Sequence, residues 1–245
     1  MTTTVTYATR QIGSILVGEF VLQSPSGINP MSSTVVRDMR ARLAELDNID
    51  PPHALLIAAR GKCFSAGADL KEFRDITAEG FRAYMAQVLA LYEDMVNVKK
   101  PIVSLVQGDA RGGGAALAFF SDFVIAAETA KFALPEAHRG LAGGGYLMPR
   151  LLGKHRAAEM VLLGRVYSAQ RMLELGLINE VCAVDRLEER LAVLCDELGT
   201  LTPGAFAVAK RGLAAGLSIG LREAMAEHVA AQTDAFMLAR QRGLL

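Results

Sequence analysis

Two short stretches of the 245-residue chain combine small residues with free backbone in a way that could serve chemistry. The first is Arg60-Gly61-Lys62-Cys63-Phe64-Ser65-Ala66-Gly67-Ala68-Asp69-Leu70. Ala66, Gly67 and Ala68 carry almost no side chain, so a ligand can come close to the backbone. A helix beginning near Asp69 would then leave unsatisfied N–H groups facing that ligand. The second is Gln107-Gly108-Asp109-Ala110-Arg111-Gly112-Gly113-Gly114-Ala115. Three successive glycines at a helix start are costly in chain entropy. They make sense where N–H groups at the positive end of a helix dipole meet a developing negative charge. Taken alone, each stretch has a plainer reading: a tight strand-to-helix turn for the first, close helix packing for the second.

Other chemistries fall away. Residues 112–117 do not spell Gly-x-Gly-x-x-Gly, and Gly153-Lys154 is followed by His155 where a phosphate loop needs Ser or Thr. There is no Gly-x-Ser-x-Gly elbow, and the four histidines lack zinc-type spacing, so no metal site is expected. Lys plus Arg and Asp plus Glu both total 26, which gives no global basic field for nucleic acid or an anionic membrane. The three cysteines are scattered, which suits a reduced, cytoplasmic setting. The opening MTTTVTYATR has no basic region before an apolar core, and the longest apolar run, residues 115–120, is too short to span a bilayer. Neither secretion nor membrane insertion is expected.

The elements that must position the two stretches emerge from periodicity. Residues 13–22 read as a strand that stops at Ser24-Pro25-Ser26-Gly27. Val35, Val36, Met39, Leu43 and Leu46 recur at helical spacing between charged residues, which predicts an amphipathic helix over 33–47. Short apolar runs at 54–59, 102–106 and 123–127 predict buried parallel strands, and a long helical pattern at 77–98 separates the first two. Strand, helix, strand is the order of an α/β fold, with sites in the loops after strand ends. Beyond Gly145 the pattern predicts helices at 154–163, 169–175 (capped by Ser168 and stopped by Gly176), 185–198, 203–215 and 220–240, with a last strand at 177–184. No internal repeat is evident.

In the order Phe64-Ser65-Ala66-Gly67-Ala68-Asp69-Leu70, residues 108–114, Ser121-Asp122 and Phe132-Ala133-Leu134-Pro135-Glu136, the chain resembles the enoyl-CoA hydratase/isomerase (crotonase) family. The likeness continues through Leu152-Gly153, Leu163-Gly164 and Ser168-Ala169 to residues 175–181. It implies an α/β fold: one crotonase-type ββα spiral domain over 1–245, with a core at 1–190 and a helical region at 191–245 for trimerisation. It also implies an oxyanion hole made by the N–H groups of Ala68 and Gly113, holding a thioester carbonyl oxygen as it becomes an enolate. The resemblance makes Glu136 the catalytic carboxylate. Ile28, Ala66, Asp69 and Leu70 then run along the coenzyme A moiety, Gly112 joins the binding set, and Tyr146 lines the acyl pocket. Coenzyme A is part of the acyl-CoA substrate, so no separate cofactor is implied, and relatives assemble as homotrimers or homohexamers.

Departures from the family pattern bear on the reaction. Its first acid, two residues past the glycine triplet, is replaced here by Ala116. Hydration of a 2-enoyl thioester is most easily shared between two carboxylates, whereas shifting a double bond from the 3- to the 2-position needs one base. The resemblance therefore implies an enoyl-CoA isomerase with Glu136 as its single base. The alternatives are a hydratase, dehydratase or decarboxylase on an atypical acyl-CoA, and an acyl-CoA-binding scaffold without turnover. His138 stands where relatives carry an aliphatic residue and is an accessory candidate for proton transfer. Ser26 replaces a basic residue that relatives turn toward the coenzyme A phosphates, and residues 140–146 lack the usual Thr-Gln or Ser-Gln.

Overall fold

The computed structural model describes residues 3–218. Strands β1 (Thr4–Ile12) and β2 (Ile15–Gln23) form an antiparallel hairpin around Gly13, whose φ of +54° suits a residue without Cβ. The first arm escapes sequence reading because it alternates exposed polar with half-buried residues and offers no apolar run. Helix α1 (Ser33–Leu46) comes next, started by Ser32, whose side chain accepts from Val35 N; its buried face is the five predicted residues.

From β3 (Ala54–Ala59) onward the chain winds in a repeating strand–strand–helix path. β3 leads to β4 (Cys63–Ser65) and then α2 (Ala78–Asn97), capped by Thr77. The next turn runs β5 (Ile102–Val106), β6 (Asp109–Arg111) and α3 (Gly113–Phe119). The third runs β7 (Phe123–Ala127), β8 (Lys131–Ala133), a single 3-10 turn at Glu136–Arg139, α4 (Met148–Leu152) and α5 (Lys154–Leu162). Then come β9 (Tyr167–Ser168), α6 (Ala169–Glu174), β10 (Glu180–Cys182), α7 (Leu187–Gly199) and α8 (Pro203–Ser218).

Each turn places its first strand in one sheet and its second in another. The large sheet has the order β1-β2-β3-β5-β7-β10 and is parallel from β2 onward; the small one has the order β4-β6-β8-β9 and is parallel except at β9. This is the ββα spiral that the resemblance implies. The central strands β3, β5 and β7 of the large sheet are buried on both faces, as continuous apolar runs in a parallel sheet require. α1 packs on α2, and Leu56, Ile57, Val103 and Leu91 are among the residues of the core between helices and sheet.

Three expectations need correction. No regular helix begins near Asp69: Asp69 Oδ1 accepts from Lys71 N at 3.1 Å and its carbonyl from Glu72 N at 3.0 Å, and the successive bonds from Phe73 N to Leu70 O and from Arg74 N to Lys71 O lengthen to 3.3 and 3.5 Å, so residues 70–75 form loose turns only. The strand expected at 177–184 contracts to Glu180–Cys182, because Leu177 N is taken by Met172 O at the end of α6. The repeat is structural and leaves no trace in the sequence, since β4, β6 and β8 are three residues each. The helix expected at 220–240 lies outside the described residues.

Helix α8 packs on α2 and is tied to the sheet by a buried ion pair. Lys210 Nζ donates to Asp122 Oδ2 at 2.7 Å and to Lys100 O at 3.1 Å, and the same carboxylate oxygen accepts from Ile102 N at 2.8 Å. Burial pushes the Lys210 pKa down and the Asp122 pKa up, so each ion depends on the other to remain charged. Lys210→Met, which strands the Asp122 charge, is expected to cost about 3 kcal/mol of stability. A urea melt reads this as a lower midpoint at unchanged slope, and adding Asp122→Asn should recover part of the loss.

Candidate active site

The parallel small sheet aligns the C-terminal ends of β4, β6 and β8, with Ser65 opposite Ala110 and Arg111 opposite Ala133. The segments leaving these strands therefore meet at one edge: Ala66-Gly67-Ala68 after β4, Gly112-Gly113 after β6 and Pro135-Glu136 after β8. A hydrogen bond from Gly112 N to Ala133 O, 2.9 Å, ties the second segment to the third.

The first segment forms a ribbon with residues 28–31. Ala66 N donates to Ile28 O at 2.8 Å, Met31 N to Gly67 O at 2.7 Å and Asp69 N to Met31 O at 3.3 Å. This pairs Met31 with Ala68 as an isolated parallel bridge. Bonds at 67 and 69 leave the Ala68 N–H between them pointing to the opposite side, as alternation along an extended chain demands. Among the described residues it has no hydrogen-bond partner. Gly113 opens α3, so its N–H has no acceptor within the helix and none elsewhere among the described residues. Two unpaired donors thus stand on adjacent segments, one on a bridge rather than the expected helix start.

Glycine is required at the junction. Gly67 has φ +81°, and a Cβ there would stand 3.1 Å from Gly113 N and 2.7 Å from Arg111 O. Gly112, at φ +52° and ψ −127°, adopts a conformation open to glycine alone. Asn29 secures the assembly from beneath. It is fully buried at φ +50°, and its Nδ2 donates to Arg60 O at 2.8 Å and to Cys63 O at 2.9 Å. Its backbone carbonyl accepts from Ser65 Oγ at 2.8 Å, and Ser65 Oγ in turn accepts from Gly67 N at 3.2 Å. Sequence reading missed Asn29, because a lone Asn in a turn between Gly27 and Pro30 looks like turn chemistry; what marks it, a left-handed φ with a fully buried side chain, belongs to the fold.

Glu136 begins the 3-10 turn behind Pro135. Its carboxylate lies between two glycines: a Cβ on Gly112 would come within 3.0 Å of Oε1, and one on Gly143 within 2.5 Å of Oε1 and Cδ. Oε2 is buried and has no hydrogen-bond partner among the described residues. Burial pushes the Glu136 pKa above the ordinary carboxylate value, and its own backbone N–H offsets part of the rise. Burial raises the Tyr146 pKa and the nearby Glu136 charge adds to the rise; its ring stacks on Phe120 at 6.5 Å, and Phe120 stacks on Tyr92 at 4.6 Å. Ala116, one turn into α3, is only 9% exposed.

The other sequence candidates lie around this edge or apart from it. Ile28 and Asp69 are half-buried and Ala66 and Leu70 exposed, all four along the ribbon. Next to them an open groove of about 410 Å³, lined by residues 23–27 and 60–62, brings Arg60 and Lys62 beside Ser26. His138 is exposed, with Nε2 2.9 Å from Leu163 O and its ring against Gly164. Asp109 and Arg111 pair with each other at 2.7 Å. Among the described residues no group of three His, Cys, Asp or Glu could hold a metal ion, and no single helix is long and apolar enough to cross a membrane. Gly143 offers a probe of the carboxylate's placement. Gly143→Ala should leave the melting temperature within a few degrees, since a carboxylate can swing aside, yet lower kcat about 100-fold by misplacing it.

Comparison with known proteins agrees with this geometry. A family model described as enoyl-CoA hydratase/isomerase matches residues 14–244. A probable enoyl-CoA hydratase of Rhizobium meliloti is 33% identical over 212 residues, covering 85% of this chain and 82% of its own. A mitochondrial enoyl-CoA hydratase of Pongo abelii is 30% identical over 210 residues, covering 84% and 72%. The crystal structure of an enoyl-CoA hydratase from Bacillus anthracis superposes with a TM-score of 0.88 at 27% identity, covering 98% of this chain and 94% of that one. A Geobacillus kaustophilus enoyl-CoA hydratase structure gives 0.86 at 28% identity, covering 97% and 93%. Two free N–H donors and a buried carboxylate at one edge of a ββα spiral, together with these matches, place the chain in the enoyl-CoA hydratase/isomerase family.

Proposed function

We propose that the protein binds an enoyl-CoA thioester, receives its carbonyl oxygen between the N–H groups of Ala68 and Gly113, and moves a double bond between C3 and C2 with Glu136 as sole carboxylate base. The observation that carries this reading is the lone, half-buried Glu136 with an unpaired Oε2, in a chain where the family's first acid is replaced by Ala116. Glu136 takes a proton from C2, charge moves onto the thioester oxygen, and the two N–H groups stabilise it. The same carboxylic acid then returns the proton at C4, leaving the double bond at C2–C3. A single base suffices because the proton it removes is the one it gives back. Burial suits Glu136 to this: a higher pKa makes it a stronger base once ionised.

Coenzyme A would lie along Ile28, Ala66, Asp69 and Leu70, and the groove holding Arg60 and Lys62 offers the positive charge that Ser26 lacks. Phe120 and Tyr146 would wall the acyl group. A second reading, hydration of a 2-enoyl thioester, is favoured by the names of the relatives at 30–33% identity. In that reaction Glu136 would act alone on a water without a carboxylate at 116 to orient it.

Chromatography with mass detection after incubation with 3-enoyl- and 2-enoyl-CoA panels separates the two. Conversion of 3-enoyl compounds at unchanged mass, lost about 1,000-fold in Glu136→Gln, is the expected result; a product heavier by one water establishes hydration instead. Ala116→Glu should raise any hydration activity relative to isomerisation. Because the active form is ionised and burial favours the protonated form, kcat/KM should fall on acidification with a midpoint above 4.5, the unperturbed glutamate value. The sign for stability is opposite: the raised folded-state pKa makes ionisation destabilising. Glu136→Gln should therefore melt higher than the parent at pH 8, with the difference vanishing near pH 4.

A further inference from the structure

Helix α2 carries two tyrosines whose hydroxyls reach the backbone of both donor segments. Tyr84 Oη donates to Met31 O at 2.9 Å, and Met31 is the residue that holds Gly67 and Asp69 on either side of Ala68. Tyr92 Oη donates to Gly113 O, also at 2.9 Å. Both rings are buried, at 7% and 3% exposure, within the core. Burial raises both pKa values, so both hydroxyls remain protonated donors. A phenylalanine would fill the same volume without the cost of burying a hydroxyl, and each hydroxyl meets that cost by bonding a carbonyl at the site edge.

The glycine run shows why a fastening from α2 matters. Gly112 N is held by Ala133 O, and Gly112 O accepts from Ala116 N at 3.0 Å. Gly114 abuts Ser65, where a Cβ would come within 2.5 Å. Gly113 lies between them without a side chain of its own: its N–H shares a peptide plane with the Gly112 carbonyl, and its own carbonyl belongs to the next plane, so the Gly113 φ and ψ that aim the N–H are fixed only when both planes are held. Tyr92 is the side chain, among the described residues, that hydrogen-bonds Gly113.

We propose that Tyr84 and Tyr92 are positioning residues through which α2 latches both halves of the oxyanion hole, Ala68 by way of the Met31 carbonyl and Gly113 by way of its own carbonyl, in the peptide that follows the donor N–H. The inference rests on the oxyanion-hole reading of these two donors. One rigid helix then sets the spacing of two donors that belong to different turns of the spiral, and the donors are aligned before charge develops. Neither tyrosine touches the substrate in this role, so its loss weakens stabilisation of the enolate without weakening binding of the ground state.

The test uses full-length protein with Tyr84→Phe and Tyr92→Phe, titrated with a saturated acyl-CoA and with a 3-oxoacyl-CoA, whose bound enolate has its own near-ultraviolet band. Each variant should lose roughly tenfold in kcat and in enolate formation, a smaller loss than removing a donor outright. Its Kd for the saturated thioester should stay within about twofold of the parent, well inside the 1.4 kcal/mol of a tenfold change. Amide exchange should quicken at Met31 and Asp69, whose hydrogen bonds flank Ala68, and at Gly112 and Ala116 around Gly113, while Leu56 and Val103 in the large sheet keep their rates. Unchanged kcat and band in both variants, or proportional weakening of saturated-thioester binding with uniformly faster exchange, overturns the latch. A parent protein that binds neither thioester and shows no band overturns the thioester reading and the latch together; a parent band that persists undiminished in the variants overturns the latch alone.

Discussion

The site depends on the parallel pairing of three strands of only three residues each. Because β4, β6 and β8 run in the same direction with Ser65 opposite Ala110 and Arg111 opposite Ala133, the segments leaving them emerge at one edge. A parallel pair cannot be joined by a short turn, so each junction needs a crossover. Here the crossovers are a helix and then a strand of the large sheet, and that sheet's central strands, buried on both faces, fix the pitch of the spiral. Short strands have little pairing energy of their own; their register is inherited from β3, β5 and β7.

In the proposed reaction, backbone rather than side chains would supply the electrophilic half of the site, and this demand matches its composition. A donor N–H aimed at a substrate oxygen must have no intramolecular acceptor, which costs stability wherever it is shielded from water. The residues around it must also be small enough to let a thioester in. Gly67 and Gly112, each next to an unpaired donor, make room for both demands with positive φ values that other residues adopt only under strain. The stiffness lost to glycine is restored from outside the run: Asn29 beneath the first segment, Ala133 and Ser65 around the second, and tyrosines of α2 behind both. Glu136 is placed by the same logic, since only glycines at 112 and 143 leave room for its carboxylate. Its burial is unfavourable for the ionised form and favourable for basicity, so the fold gives up stability at the position where proton transfer would gain from it.

The replacement of the first acid by Ala116 sits in a short, tightly packed helix. α3 is seven residues long, its first turn is glycine and alanine, and Ala115 to Ala118 are all buried. A carboxylate at 116 would have to face the site, where only 9% of the residue is exposed. The relatives named hydratases share the fold and much of the chain, so chemistry within this family turns on which few side chains project into a common backbone cradle.

Periodicity was enough to mark the regular elements. Continuous apolar runs delimit β3, β5 and β7 to the residue, and the five-residue stripe of α1 marks its buried face, because burial on one side or both leaves a pattern independent of the partner. Small residues at 66–68 and 112–114, read against the family, point to both donor segments and Glu136. How those segments act together is settled by contacts between distant parts of the chain. The bridge between Met31 and Ala68 replaces the helix expected near Asp69, and it orients an N–H through a residue far away in sequence. Asn29 and Tyr92 resemble, respectively, a turn residue and a core aromatic, because a hydrogen bond to a distant carbonyl has no periodicity and no local composition. His138 adjoins Glu136 in sequence yet sends its ring to Leu163, since a 3-10 turn rotates successive side chains by about 120°. Local pattern records what is buried; which backbone groups stay unpaired depends on contacts between turns of the spiral, and those exist only once it has closed.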